Sequence, residues 1–354
     1  MDDHSLVSVE DLSVEYATSK LAGDARRMFR AVDGVSLDIP KGSVFSLVGE
    51  SGSGKTSLGR TIAMLQPAAS GTISFAGERV NDLRGRKLKE FRRSCQIIFQ
   101  DPFSSLDPRM TVSEIIGEPL VIHNIGARQG RPARINELMA LCGLDSRFYD
   151  RKPHELSGGQ RQRVGIARAL AVEPSFIVCD EPVSALDASV QAQILNLLMD
   201  LKEQMGLTYL FIAHNLGVIK HISDYVAIMY LGTIVESGPR DQVFGNPRHP
   251  YTRALLSSAP VPDPAKERLA KRDRIVLEGD MPSATAPPSG CRFHTRCWLY
   301  QQLDSPERCR TEVADLRGVG AEHLSACHFA ASTGDAVSRP AAAPATELLV
   351  VGEN

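Results

Sequence analysis

The sequence has no apolar run approaching the roughly 20 residues needed to cross a bilayer. Its longest candidates, Val44 to Val48 and Thr208 to Ala213, stop far short, so the chain is not expected to span a membrane itself. An export signal is lacking too. The start, Met1-Asp2-Asp3-His4, is acidic and carries neither the basic flank nor the apolar segment of such a signal, so a cytoplasmic location is expected. Neither sign of charge dominates: 40 Lys and Arg against 42 Asp and Glu leave a net charge of -2. That balance gives no global attraction to nucleic acid or anionic lipid, and any such contact would have to be local. No CxxC pair occurs among the seven cysteines, and a reducing compartment argues against reading them as disulfides. Cys95, Cys142 and Cys179 are scattered, whereas Cys291, Cys297, Cys309 and Cys327 crowd together. No internal repeat is visible.

The 354 residues are enough for two domains, or one with a sizeable appendage. Over the first 250, short β-rich runs alternate with helical patterns, as in a mostly parallel sheet flanked by helices. Strands are expected at Val7 to Tyr16, Val44 to Val48, Gly71 to Phe75, Gln96 to Phe99, Phe176 to Asp180, Thr208 to Ala213 and Tyr225 to Tyr230. Helices are expected at Thr56 to Leu65, Gly159 to Val172, Val190 to Gln204 and Leu216 to His221. Between Asp101 and Leu156 strand signals stop, which reads as a helical insertion. Beyond Pro260 the composition shifts through Pro262, Pro264 and a charged stretch, as in a linker to a small cysteine-bearing extension. The Ala- and Pro-rich end, about 336–354, reads as a disordered tail. The basic run from Arg84 to Arg93, interrupted by Glu90, fits a solvated helix face better than a nucleic-acid patch.

Gly49-Glu50-Ser51-Gly52-Ser53-Gly54-Lys55-Thr56 fits GxxxxGK[ST] and lies between an apolar strand and a helical run. Glycines there let backbone N–H groups wrap polyphosphate oxygens, with the helix N-terminus adding partial positive charge. Lys55 supplies a point charge for the outer phosphates, and Thr56 a hydroxyl for Mg²⁺. The run Phe176-Ile177-Val178-Cys179-Asp180-Glu181 is an apolar strand ending in two carboxylates. Asp180 can hold Mg²⁺, and Glu181 can orient and polarise the attacking water. Alone, such a pair is more often merely solvated; beside a phosphate loop it points to nucleotide hydrolysis.

Leu156-Ser157-Gly158-Gly159-Gln160 opens a further helix, and with it the chain resembles the ATP-binding subunit of ABC transporters over about residues 5 to 260. The other elements of that family occur in order: Gln100 after Ile97-Ile98-Phe99, Ser184-Ala185-Leu186-Asp187 after the carboxylates, and His214 after Leu210 to Ala213. The resemblance implies a P-loop NTPase (ABC ATPase) α/β core with an antiparallel β subdomain, an inserted helical subdomain at about 101–165 and a cysteine-containing C-terminal extension at 261–335. It implies that Tyr16 stacks on adenine, with Phe29 a competitor, and that Gln100 senses Mg²⁺ and the γ-phosphate. It implies that His214 contacts the γ-phosphate and holds Glu181, and that Ser157, Gly158, Gly159, Gln160 and Asp187 complete a second nucleotide half-site. Physically, Ser157 to Gly159 make an anion-binding helix start. The resemblance further implies that two subunits pair head to tail around ATP and separate on hydrolysis.

Gln100-Asp101-Pro102-Phe103-Ser104-Ser105-Leu106-Asp107-Pro108 and Asn246-Pro247-Arg248-His249-Pro250-Tyr251-Thr252-Arg253-Ala254-Leu255-Leu256 resemble hallmarks of the peptide and nickel importer group. That resemblance implies a membrane permease on other chains, a second ATP-binding subunit that is a paralogue or a copy of this chain, and a substrate-binding protein reached through the permease. It also implies a location on the cytoplasmic face of the inner membrane and no nucleic-acid partner. In some relatives the four late cysteines hold a [4Fe-4S] cluster; tetrahedral zinc and plain reduced thiols are the other readings. The competing functions are a soluble ABC ATPase acting on DNA or ribosomes, which usually has a long coiled-coil insertion or two cassettes, and the motor of an exporter.

Overall fold

The computed structural model describes residues 5–17, 28–258 and 274–331. Pro260, Pro262, Pro264 and the tail 336–354 lie outside the described residues. The chain opens with β1 (Ser5–Ala17), β2 (Met28–Pro40) and β3 (Val44–Val48), followed by α1 (Lys55–Ile62), β4 (Ser70–Phe75) and β5 (Glu78–Arg79). Then come α2 (Gly85–Ser94), β6 (Cys95–Ile98), α3 (Val112–Ile122), α4 (Arg131–Leu141) and α5 (Gly158–Leu170). The rest of the cassette is β7 (Phe176–Asp180), α6 (Ala188–Met205), β8 (Thr208–Ala213), α7 (Leu216–Ile222), β9 (Tyr225–Tyr230), β10 (Thr233–Pro239), α8 (Arg240–Gly245) and α9 (Pro250–Ser258). Beyond residue 274 lie short turns and the strands β11 (Arg317–Gly320) and β12 (His323–Ser325).

Two sheets organise these elements. One is antiparallel, in the order β2-β1-β4-β5; the other runs β11-β12-β10-β9-β3-β8-β7-β6. Within the larger sheet β9, β3, β8, β7 and β6 are mutually parallel. Every residue of β3, β7 and β8 is buried, as expected for parallel strands covered on both faces. Because β3 and β7 run the same way on either side of β8, their carboxyl ends open on one edge, the usual place for a ligand in such sheets.

One apolar core, including Val9, Val32, Phe45, Leu58, Ile73 and Ile212, fills the space between the two sheets. A second joins the opposite face of the large sheet to the helices and includes Ile116, Leu138, Val164, Phe211 and Tyr230. The insertion is helical as expected. Helix α3 starts at a capping box in which Thr111 Oγ1 accepts from Glu114 N and Glu114 Oε2 accepts from Thr111 N. Along α2 only Phe91 is buried, so the basic run is a solvated face, with Arg86 paired to Glu90 one turn on.

Strand β2 shows what local patterning missed. Asp33-Gly34 reads as a turn, yet here it sits where the β1–β2 register slips between Leu12↔Val35 and Val14↔Val32, with Gly34 at φ 62°. The dipeptide serves a bulge within a strand rather than a chain reversal.

The cysteine-bearing segment is a continuation of the cassette's sheet. Strand β12 pairs with β10 at Glu236↔Ser325 and Ser237↔Leu324. Glu236 is fully buried and accepts from Arg248 N, from His249 N at 3.0 Å and from His323 Nε2 at 2.8 Å. One carboxylate thus ties β10 to the start of α9 and to β12, its burial offset by three donors. Phe293 packs against both Tyr230 and Tyr251, with ring centroids 5.2 and 5.3 Å away, and the Trp298 indole donates to the Pro250 carbonyl at 3.1 Å.

Candidate nucleotide-binding site

The turn from β3 into α1 is shaped by its glycines. A Cβ on Gly49 would lie 2.2 Å from the Met229 carbonyl oxygen, and one on Gly54, at φ 104°, would lie 2.2 Å from the Ala31 carbonyl oxygen. The loop can therefore follow this path only with bare backbone at both ends. Lys55 folds back over it, its Nζ donating to the carbonyls of Gly49 and Glu50 at 2.8 Å each and to Ser53 Oγ at 3.3 Å. Burial lowers the ammonium pKa, and Glu181, Asp180 and Glu50 offset part of that shift. A cation is thus held at the loop with only backbone and hydroxyl oxygens as direct partners, ready for an anion.

Across the sheet edge, Thr56 Oγ1 donates to Asp180 Oδ1 at 2.8 Å. Asp180 is fully buried, and burial raises its pKa against the opposing hydrogen bond from Thr56 and the charge of Arg60. Its Oδ2 has no hydrogen-bond partner among the described residues, with Arg60 Nη2 3.6 Å away. A hydroxyl and a half-satisfied buried carboxylate side by side are hard oxygen donors of the kind Mg²⁺ takes. Arg60 was not singled out from sequence; its place one turn after Thr56 on α1 was the available signal.

Glu181 follows in the left-handed region, at φ 47°, an uncommon conformation for a side chain of this kind. Its N–H donates to the Ile212 carbonyl at 3.0 Å. Glu181 Oε2 accepts from Gln100 Nε2 at 3.0 Å and lies 3.3 Å from His214 Nδ1. The ends of β6, β7 and β8 thereby bring Gln100, Glu181 and His214 together, and Ser184, Gln191 and Asn215 help line the adjoining cleft.

Tyr16 is 37% exposed at the end of β1 and stacks on Phe29 at 5.8 Å, its hydroxyl reaching Gln66 Oε1 at 2.7 Å and Ser57 at 3.1 Å. Both aromatics weighed from sequence thus share one face next to α1.

Ser157 caps α5: its Oγ accepts from Gln160 N at 3.3 Å, and Gln160 Oε1 accepts from Ser157 N at 2.8 Å. Gly159 lets this turn approach α6, since a Cβ there would meet Val190 Cγ1 at 2.6 Å. Asp187 is the residue before the first turn of α6. Among the described residues the Gly158 and Gly159 amides of this first turn have no acceptor, while the Gln160 amide is taken by Ser157 Oγ.

Residues 32–184 match the family model of the ABC transporter, and residues 235–302 that of the oligopeptide/dipeptide transporter C-terminal region. An oligopeptide transport ATP-binding protein of Bacillus subtilis, AppF, is 48% identical over 301 residues, 85% of this chain and 89% of that protein. The chain belongs to the ABC transporter family. A putative peptide import ATP-binding protein of Brucella ovis is 47% identical to this ABC ATPase over 327 residues, 92% of this chain and 98% of that protein. Among solved structures, the dimeric post-hydrolysis state of the ATP-binding cassette MJ0796, bound to ADP and phosphate, superposes with a TM-score of 0.59 at 31% identity, covering 66% of this chain and 98% of that one. ATP and Mg²⁺ are the cofactors of such an ATPase, and the Lys55 loop with Thr56 and Asp180 fits both. Among the described residues, no helix of this ABC protein is long and apolar enough to cross a membrane.

Proposed function

We propose that this ABC ATPase is the motor of an importer for peptide-like substrates, with nickel or another small solute as the narrower alternative cargo. The match of residues 235–302 to the oligopeptide/dipeptide transporter C-terminal region carries this reading. The relatives at 46–48% identity, whose names state peptide transport or import, support it over a DNA- or ribosome-acting ATPase and over an exporter motor. In this reading the subunit lies on the cytoplasmic face of the inner membrane, against permease chains that receive substrate from a binding protein outside. It pairs with a second ATP-binding subunit, a homologous paralogue in preference to a copy of itself, and binds no nucleic acid.

The proposed roles follow the geometry. Gly49 to Gly54 wrap the phosphates, Lys55 neutralises the outer ones, and Thr56 and Asp180 hold Mg²⁺, with Gln100 reporting its presence. Glu181 accepts the proton of the attacking water, held by Gln100 and His214. Tyr16 stacks on the base. Ser157, Gly158, Gly159, Gln160 and Asp187 face the nucleotide bound by the other subunit. Co-expressed with candidate permease subunits, the chain is expected to co-purify with them and to drive ATP-dependent uptake of a labelled oligopeptide into vesicles. Uptake that ignores ATP, or purification with ribosomes in place of a permease, would refute this assignment.

Cys291, Cys297, Cys309 and Cys327 are proposed as the ligands of a [4Fe-4S] cluster. All four are free thiols, buried or half-buried. Burial pushes the thiol pKa of Cys297 up to about 12, with neighbouring Cys291 and Cys327 adding to it. Burial likewise pushes Cys327 up to about 12, with Cys291 and Cys309 contributing. The four are thus neighbours in the extension, although among the described residues no three His, Cys, Asp or Glu side chains are arranged to hold a metal ion. Protein purified without oxygen is expected to be brown and to contain about four irons, as the proposed cluster requires. A colourless, iron-free preparation with all four thiols titratable would refute the cluster.

A further inference from the structure

The cysteine-bearing extension touches the phosphate loop directly. Arg296 lies in the single turn His294–Arg296, between Cys291 and Cys297. Its Nη1 donates to both carboxylate oxygens of Glu50, at 3.2 and 3.1 Å. The Arg296 side chain is 9% exposed and that of Glu50 29%, so the pair is largely shielded from solvent although 246 residues separate its members.

Glu50 is the second residue of the loop and is gripped from three directions. Arg296 holds its carboxylate, the Tyr251 hydroxyl accepts from its N–H at 3.0 Å, and Lys55 donates to its carbonyl at 2.8 Å. The same extension segment also reaches the far end of the loop. Arg292 donates to the Leu231 carbonyl and to Asp33 Oδ2. Next along the chain, Gly232 donates its N–H to the Ser53 carbonyl and accepts from Asp33 N, each at 2.9 Å. Phe293, between the two arginines, fills the aromatic cluster with Tyr230 and Tyr251. The cysteines set the local path: the Cys291 carbonyl accepts from His294 N at 3.0 Å, and Cys297 Sγ accepts from Tyr300 N at 3.4 Å.

We infer that Arg296 is a positioning residue for ATP binding: through Glu50, the C-terminal extension presets the loop whose amides and lysine receive the phosphates. The inference rests on the reading of Gly49 to Thr56 as the nucleotide site. Arg296 need touch no part of the nucleotide. Without it, the shielded Glu50 carboxylate loses the cation that is hydrogen-bonded to it, and the loop is free to leave the conformation in which its N–H groups converge. Binding is the step affected, because Glu181, Gln100 and His214 sit across the sheet edge and do not use this contact.

The test is a double-mutant cycle on the full chain, read as the Kd for a fluorescent ATP analogue with Mg²⁺ and as kcat at saturating ATP. R296Q and E50Q are each expected to weaken binding by about tenfold, within the range for directly paired groups, with the double variant little worse than either single one. R296K, which keeps the charge, is expected to recover most of the affinity, and kcat is expected to stay within about twofold in R296Q and R296K, since uniform binding was removed. An unchanged Kd in R296Q and E50Q, or losses that simply add, would overturn the inference. Should R296Q prove insoluble, E50Q and R296K decide the question in the same way. K55A run in parallel separates the two readings: if it too keeps full affinity, the assignment of the loop has failed, not the role of Arg296.

Discussion

Replacing Glu181 by Gln is expected to leave ATP binding intact and to cut turnover by about 10²–10⁴-fold, the range supplied by a positioned general base. The substitution keeps the shape of the side chain and leaves the left-handed backbone at residue 181 as it is. What it removes is a proton acceptor at the point where Gln100 Nε2 and the His214 ring converge, 3.0 and 3.3 Å from Oε2. An amide there can still be oriented by both neighbours but cannot take the proton of a water attacking the γ-phosphate. The measurement is steady-state phosphate release alongside equilibrium nucleotide binding. Turnover within a few-fold of the wild type, with binding preserved, would remove Glu181 from the proton-accepting role.

Lys55→Ala acts on the other half of the chemistry. A charge-assisted hydrogen bond is worth about 1.5–3 kcal/mol, so loss of the ammonium is expected to weaken ATP binding by about 10- to 100-fold. The geometry favours the upper part of that range. Lys55 is 5% exposed and held by the Gly49 and Glu50 carbonyls and by Ser53 Oγ, so its removal withdraws both the phosphate's counter-charge and three ties within the loop. Titration calorimetry with ATP and Mg²⁺ checks this, and retained affinity would count against the phosphate-loop assignment itself.

The parts of the fold that were legible in sequence share a physical cause. Strands β3, β7, β8 and β9 occupy the residues expected of them because central parallel strands, covered on both faces, appear as unbroken apolar runs. The site was legible for a related reason. Its glycines, lysine and paired carboxylates sit at the carboxyl ends of those same strands, where local spacing and chemistry coincide.

Strands β2 and β10 were not legible. Asp33-Gly34 interrupts the first with a bulge. The second, Thr233–Pro239, carries a buried glutamate, a glycine and a terminal proline that read as loop. Nor does any local pattern announce that the stretch beyond residue 274 completes the large sheet. Its attachment is made by long-range partners, the β12 ladder on β10 together with His323 on Glu236, Trp298 on Pro250 and Arg296 on Glu50. Periodicity cannot report contacts between residues tens to hundreds of positions apart. Tyr16 and Phe29 compete for the base in sequence because the stretch from Ala17 to Arg30 is longer than in many relatives; in the structure the two rings stack on each other.

Nucleotide shared between two subunits is the proposed basis of the whole cycle. The direct measurement is a cryo-EM structure of the Glu181→Gln variant loaded with ATP and Mg²⁺, assembled with its companion ATP-binding subunit and permease. The expected result is a triphosphate lying between the Lys55 loop of one subunit and the corresponding helix start of the other, with the Ser157 to Gln160 turn of this chain against the second nucleotide. A loaded complex in which that turn stands apart from every bound nucleotide would contradict it.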